Sequence, residues 1–195
     1  MEVILATSNK AKIREIIQIL GNDIDYKTMS DFPDWPDVEE TEDTFKGNAL
    51  LKASVLAQRY NMPAIADDSG LAVEGLSGEP GVHSSRYSGE GATDKKNIAK
   101  LLKNLTEKKN RKAAFKTVVV FKKPDGEEIF AEGEVKGHIT QKPAGKGGFG
   151  YDPVFIPEDF DKTFAQMSAE EKNSLSHRGR ALRNLKDILQ NNGYF

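Results

Sequence analysis

The 195-residue chain has no cysteine, which excludes disulfides, thiolate metal sites and cysteine nucleophiles. Its three histidines, His83, His138 and His177, stand too far apart for the spacing of a zinc site. Any metal would rest on oxygen ligands, which points to magnesium or manganese. No charge sign dominates: 30 acidic residues against 28 basic ones give a net charge of -2. That balance gives no reason to expect DNA, RNA or a membrane surface as the main partner. Long apolar runs are missing as well. Val3-Ile4-Leu5-Ala6 and Val118-Val119-Val120-Phe121 are far too short to cross a bilayer. The opening Met-Glu is not followed by a basic region and an apolar core, so no signal peptide is expected and the expected location is cytoplasmic. Internal repeats and low-complexity tracts are also missing.

What is present is enough chain for one domain with a substantial core, or for two small lobes around a cleft. The most informative stretch is Ala64-Ile65-Ala66-Asp67-Asp68-Ser69-Gly70-Leu71. An apolar run bounded by Pro63 and Gly70 reads as a buried strand whose end carries acids. Neighbours on a strand point to opposite faces, so Asp67 and Asp68 diverge unless the chain bends, and Gly70 supplies the freedom to bend. Two close carboxylates suit a hard divalent cation or general-base work; Asp-Asp-Ser-Gly is also ordinary turn chemistry.

Before this stretch, Val3 to Ala6 reads as a first buried strand. It runs into a helix with Ile13, Ile16, Ile17 and Leu20 on one face, which Ser8 or Asn9 can cap and Gly21 can end. A helix N-terminus with Lys10 and Lys12 beside it is either an anion site or a capped surface helix with solvated lysines. Ile24 to Tyr26 reads as a second strand. The acidic run Val38 to Asp43 leads into a helix from about Thr44 to Tyr60, where Glu39, Glu42 and Asp43 complement the dipole.

Beyond the central strand, residues 74–92 read as an irregular loop. Thr93 or Asp94 caps a helix with Ile98, Leu101, Leu102 and Leu105 inward. Glu107 to Lys112 reads as a solvated basic connector. Ala113 to Phe121 and Glu128 to Val135, joined by Pro124-Asp125-Gly126, make a hairpin, with Gly137 to Thr140 as a further short strand. Pro143 to Pro153 packs four glycines within six residues around Phe149. Neither a Walker loop nor a Rossmann turn fits, since no Gly-Lys-Ser/Thr follows and Val154-Phe155-Ile156 looks like a strand. The small residues either let a flat ring reach Phe149 or form a flexible hairpin loop. Ser168-x-x-Glu171 is a capping box. His177 and Arg178 begin a terminal helix with Ala181, Leu182, Leu185, Ile188 and Leu189 inward, at the end where the dipole disfavours cations.

Five blocks in order resemble the inosine triphosphate pyrophosphatase family, house-cleaning enzymes for noncanonical purine nucleotides. They are Ala6-Thr7-Ser8-Asn9-Lys10, Glu40-Thr41 with Thr44-Phe45 and Asn48 to Ala53, Ala66-Asp67-Asp68-Ser69-Gly70-Leu71, Gly147 to Pro153, and Ser176-His177-Arg178-Gly179. The resemblance implies an α/β chain forming a single catalytic domain over residues 1–195. It implies an elongated two-lobed fold, a long mixed β-sheet flanked by helices, a central active-site cleft and a homodimer. Two positions depart from the pattern: Glu42 stands where many relatives have glycine, and Gly47 where many have glutamate. Septum-inhibitor-type pyrophosphatases open differently, and a non-enzymatic nucleotide sensor would have no need of Glu40, Asp67 and Asp68.

The implied reaction cleaves ITP, dITP or XTP between the α and β phosphates to the monophosphate and pyrophosphate, with Mg²⁺ as cofactor and Mn²⁺ as the alternative ion. By the resemblance, Thr7, Ser8, Asn9, Lys10, Lys12 and Lys52 hold the triphosphate, and Glu40 and Asp68 hold the metal. Asp68 is also the candidate base for the attacking water, supported by Asp67; a carboxylate beside the metal has a lowered pKa, so it would orient the water as much as take its proton. The base would stack on Phe149, beside Gly150 and Tyr151. Asp152, Lys172, His177 and Arg178 would read its edge, with Ser69 near the sugar or phosphate.

Overall fold

The structure, a computed structural model, describes residues 1–194; Phe195 lies outside the described residues. The elements follow the expected order. They are β1 (Glu2–Leu5), α1 (Lys10–Leu20), β2 (Asp25–Lys27), α2 (Phe45–Tyr60), β3 (Ala64–Val73), α3 (Asp94–Asn104), β4 (Lys112–Lys122), β5 (Glu128–Ile139), β6 (Phe155–Pro157), α4 (Ala169–Leu175) and α5 (His177–Asn191). The six strands form one mixed sheet in the order β2-β1-β3-β4-β5-β6. β1 pairs parallel with β2 and with β3, whereas β5 pairs antiparallel with β6. Among the described residues no helix is long and apolar enough to cross a membrane.

The chain divides into two compact units, Met1–Asp68 with Thr117–Gly133 and Arg178–Phe195, and Ser69–Lys116 with Glu134–His177. In the first unit, strand alternation sorts the apolar residues onto two faces. Val3, Leu5, Ile65, Val119 and Phe121 pack with Ile16 and Leu20 of α1 and with Ala181, Leu182, Leu185 and Leu189 of α5. Ile4, Ala6, Ala64, Ala66, Val118 and Val120 pack on the opposite side with Ala49, Ala53, Leu56 and Ala57 of α2. The alanines of α2 let that helix lie close to a face that is itself partly alanine. The core of the second unit gathers Leu71 and Val73 of β3, Phe115 of β4, Ile98 and Leu101 of α3, and Phe155 and Phe164.

Four local readings are revised. β3 does not end or bend at Asp67-Asp68; it continues to Val73, and Gly70 is not among the residues with positive φ. The short strand expected from Gly137 is the end of β5. The loop 74–92 contains two 3-10 turns, Glu74–Leu76 and Gly81–Arg86, and is pinned where the Ser84 hydroxyl accepts the Leu71 N–H at 2.9 Å. Arg111 is not solvated like its lysine neighbours. Its guanidinium donates to the carbonyls of Leu105, Ile139 and Thr140 at 3.1, 2.8 and 2.7 Å.

The two departures at positions 42 and 47 have a common physical basis. A Cβ placed on Gly47 would lie 2.7 Å from the Glu42 Cβ and 3.0 Å from the Thr44 hydroxyl, so the two positions compete for one space. Gly47→Ala alone should therefore fail to gain the roughly 1 kcal/mol that alanine normally adds inside a helix, and should instead be neutral or destabilising. In a Glu42→Gly background the same change should stabilise by about that amount. Urea unfolding of the four proteins measures the coupling; additive effects would show that the two sites do not share space.

Candidate functional site

Asp67 and Asp68 sit side by side in the middle of β3, both buried, and point to opposite faces of the sheet. Asp67 follows the parity of Ile65 and faces α1 and α5. There Lys12 Nζ lies 3.0 Å from its Oδ2, and Arg178 donates to the same oxygen through Nε at 3.1 Å and Nη2 at 3.0 Å. Arg178 Nη1 also reaches Glu15 at 2.5 Å. Burial opposes charge on this guanidinium, but Asp67 and Glu15 outweigh it and the pKa is raised. On Lys12 the balance runs the other way. Burial lowers its pKa, Asp67 opposes, and the neighbouring Arg178 and Lys52 charges lower it further.

Asp68 follows the parity of Ala64 and Ala66 and faces α2. Its Oδ2 accepts the Asn48 side-chain N–H at 3.2 Å, and its Oδ1 lies 3.9 Å from Lys52 Nζ. Lys52 in turn bonds Glu40 Oε1 at 2.7 Å and the Asp67 carbonyl at 2.8 Å. The Asp68 main-chain carbonyl accepts the buried Thr117 hydroxyl at 3.0 Å. One ammonium thus sits among Glu40, Asp68 and the strand backbone. Burial pushes the Asp68 carboxyl up to about 6; Lys52 opposes, Glu40 adds, and Lys12 and the Asn48 hydrogen bond oppose. Without a bound metal, desolvation therefore outweighs the neighbouring ammonium groups.

At the start of α1, Asn9 is the cap. Its Oδ1 accepts the N–H groups of Ala11 at 2.9 Å and Lys12 at 3.3 Å, and Thr7 Oγ1 accepts the Asn9 N–H at 3.2 Å. These donors are engaged internally, while Ser8 and Lys10 are exposed.

The second unit holds the other candidates. The Asp152 carboxylate, buried, accepts the Phe149 N–H at 2.8 Å and Lys172 Nζ at 2.6 Å through one oxygen. Lys172 also lies 4.5 Å from the centre of the Phe149 ring, in cation–π range. Gly148 is obligatory here. Its φ is +70°, and a Cβ would fall 2.1 Å from Asp152 Oδ2. The Gly150 N–H donates to Asp94 at the first turn of α3 at 2.8 Å. The glycine-rich segment is thus a fastened loop. Tyr151 is buried and donates its hydroxyl to the Ser84 carbonyl at 2.9 Å. His177 is buried with its ring stacked on Phe115 at 4.7 Å and 7°. Ser69 is half-buried in β3.

The candidates therefore fall into two groups. Thr7 to Lys12, Glu40, Lys52, Asp67, Asp68 and Arg178 belong to the first unit. Ser69, Phe149 to Asp152, Lys172 and His177 belong to the second. Sequence reasoning missed Glu15, Asn48 and Asp94 as site residues. Glu15 stands three residues after Lys12 and so on the same side of α1. Asn48 is a poor helix former one residue from the inward Ala49, a signal that could have marked it. Asp94 was read only as a cap.

The raised Asp68 carboxyl makes stability pH-dependent. Between about pH 4 and 6 the folded chain keeps a proton that the unfolded chain gives up, so stability falls as pH rises through that window. Asp68→Asn removes the penalty. In buffer containing a chelator the variant should melt a few degrees above the parent at pH 8, with the gap closing towards pH 4. Thermal melts across pH check this; a gap that does not change with pH would place the Asp68 carboxyl at its ordinary value.

Residues 3–188 match the Ham1 family. A dITP/XTP pyrophosphatase of Geobacter sulfurreducens is 49% identical over 190 residues, covering 96% of each chain. One of Flavobacterium johnsoniae is 46% identical over 189 residues, covering 97% of this chain and 98% of its own. Among solved structures, the Ham1 protein of Staphylococcus aureus superposes with a TM-score of 0.89 at 41% identity, over 98% of this chain and 100% of its own. A HAM1 protein of Coxiella burnetii gives 0.90 at 38% identity, over 98% and 99%. Matched over nearly its whole length by these relatives and by the family itself, the chain belongs to the Ham1 family.

Proposed function

We propose that this protein hydrolyses noncanonical purine nucleoside triphosphates, dITP, ITP and XTP, to the monophosphate and pyrophosphate. The observation that carries the reading is the pair of carboxylates, Glu40 and Asp68, gathered around one cation, Lys52, at 2.7 and 3.9 Å. The names of the relatives agree with the chemistry that the five sequence blocks imply.

Among the described residues no cluster of three or more His, Asp or Glu is arranged to hold a metal. Two carboxylates nevertheless fit Mg²⁺ well. That ion commonly uses one or two carboxylates and completes its shell with water and substrate phosphates. Glu40 and Asp68 would hold it. When bound it would neutralise charge moving onto the leaving pyrophosphate. In this reading Asp68 orients the attacking water and accepts its proton. A carboxylate beside a bound cation has a lowered pKa, so Asp68 would orient the water as much as take its proton. Ser8, Asn9 and Lys10, with Lys12 and Lys52, take the triphosphate.

The purine stacks on Phe149, with Lys172, His177 and Arg178 as donors towards a 6-keto oxygen and Asp152 as an acceptor. Adenine presents an amino group at that edge, so donor meets donor and it is rejected. Guanine keeps the 6-keto group and must be excluded through its 2-amino group. Arg178 is held between Asp67 and Glu15, which fixes the plane of its guanidinium. We further propose a homodimer, as the resemblance implies; sedimentation at twice the chain mass of 21.5 kDa is the expected result.

Product analysis with ITP, XTP, ATP and GTP, each with and without Mg²⁺, tests the reaction. Monophosphate plus pyrophosphate should form from ITP and XTP, far less from ATP and GTP, and none without the ion. Orthophosphate plus diphosphate would mean attack at the terminal phosphate and would remove Asp68 as the base for this water. Phe149→Ala should lower kcat/KM for ITP about ten- to a hundredfold, the worth of one base stacked on an aromatic ring. An unchanged kcat/KM would take Phe149 out of the base site.

A further inference from the structure

We propose that Asn48 is a positioning residue that sets the spacing of Glu40 and Asp68, an inference that rests on the pyrophosphatase reading above. Asn48 is fully buried in the first turn of α2. Its side chain makes three hydrogen bonds. The oxygen accepts the Glu42 N–H at 2.9 Å, and the nitrogen donates to the Glu42 carbonyl at 3.1 Å and to Asp68 Oδ2 at 3.2 Å. Only the oxygen can take the Glu42 N–H, so the amide has one orientation, and both its N–H groups are spent. One planar group therefore grips the main chain two residues beyond Glu40 and one oxygen of Asp68 together.

The consequences follow from the chain between these points. Residues 36–42 have no helix or strand to hold them. At its far end this segment is anchored by the Phe32 ring stacked on Tyr60 at 4.0 Å and by the Asp34–Arg59 pair. At the near end the anchor is Asn48. Gly47 assists by leaving room for Glu42 against the helix. Glu40 is thereby held where Lys52 reaches it, while Asp68 has Oδ2 occupied by a neutral donor and Oδ1 turned towards Lys52. An aspartate at position 48 would lack both N–H donors and add a third negative charge. An alanine would release the Glu42 main chain and the Asp68 carboxylate together.

The test uses the full chain and Asn48→Ala, with folding confirmed by circular dichroism and melting temperature. Direct Mn²⁺ titration, without nucleotide, should show binding at least tenfold weaker than in the parent. Turnover of ITP should show kcat reduced at least a hundredfold with KM within threefold, because the groups proposed to bind triphosphate and base are untouched. A residue that only stabilises α2 would lower the melting temperature and leave both other quantities alone. A folded variant with Mn²⁺ affinity and kcat within threefold of the parent overturns the inference. If Asn48→Ala does not fold, Glu42→Pro decides. It removes the N–H that Asn48 accepts, at an exposed loop position, and the same criteria apply. If the parent does not turn over ITP, the pyrophosphatase reading fails and the Mn²⁺ titration alone judges Asn48; a parent that binds no Mn²⁺ overturns it.

Discussion

The period of two in β3 is the constraint on which the first unit depends. A strand that is apolar on both faces, Ile65 to one side and Ala64 and Ala66 to the other, carries that alternation into two aspartates. Each is then delivered into a different interior. A buried carboxylate without a counter-charge costs several kcal/mol, so each face must supply one. Lys12 and Arg178 answer Asp67; Lys52 and Asn48 answer Asp68. The placement of α1, α2 and α5 is thus set by apolar packing and also by where their polar side chains must end.

Much of this architecture was legible. The runs at Val3, Ala64 and Val118 are strands because they are apolar and β-branched or small. The stripe Ile13-Ile16-Leu20, the Ser168/Glu171 box and the acidic run leading to a helix from about Thr44 mark helices close to their observed ends. What failed was local and had one cause. Gly70 after two acids reads as a stop, yet the strand continues because Leu71 and Val73 have a core of their own to enter. The decision lay in residues far away in sequence, Phe115 and Leu101 among them, which no window around Gly70 contains. Arg111 was misread for the same reason. Its value is set by three carbonyls, two of them nearly thirty residues later.

The candidate site was legible as residue types and blocks, and less so as partnerships. The carboxylates and cations could be named from sequence, but who neutralises whom could not. Lys12 and Lys52 were read alike as cations for a triphosphate, and the structure gives them different companions. From its own residues alone, the glycine-rich stretch around Phe149 fits a ring platform and a flexible loop equally. What fixes it is Asp152, three residues on, which needs a glycine at 148 to come close enough. Asn48, Glu15 and Asp94 escaped because a hydrogen-bonding role across elements leaves no periodic trace.

The asymmetry between the two aspartates then follows from their faces. Asp67, buried, puts one oxygen against an ammonium and a guanidinium that keeps its proton at any working pH. Asp68 has a neutral amide on one oxygen and a lysine at 3.9 Å from the other, so burial prevails and its carboxyl rises to about 6. The same sequence pair therefore yields one carboxylate set by two close cationic partners and one set chiefly by burial. It is the strand's alternation that separates the two electrostatic settings, because it delivers neighbouring residues to opposite faces.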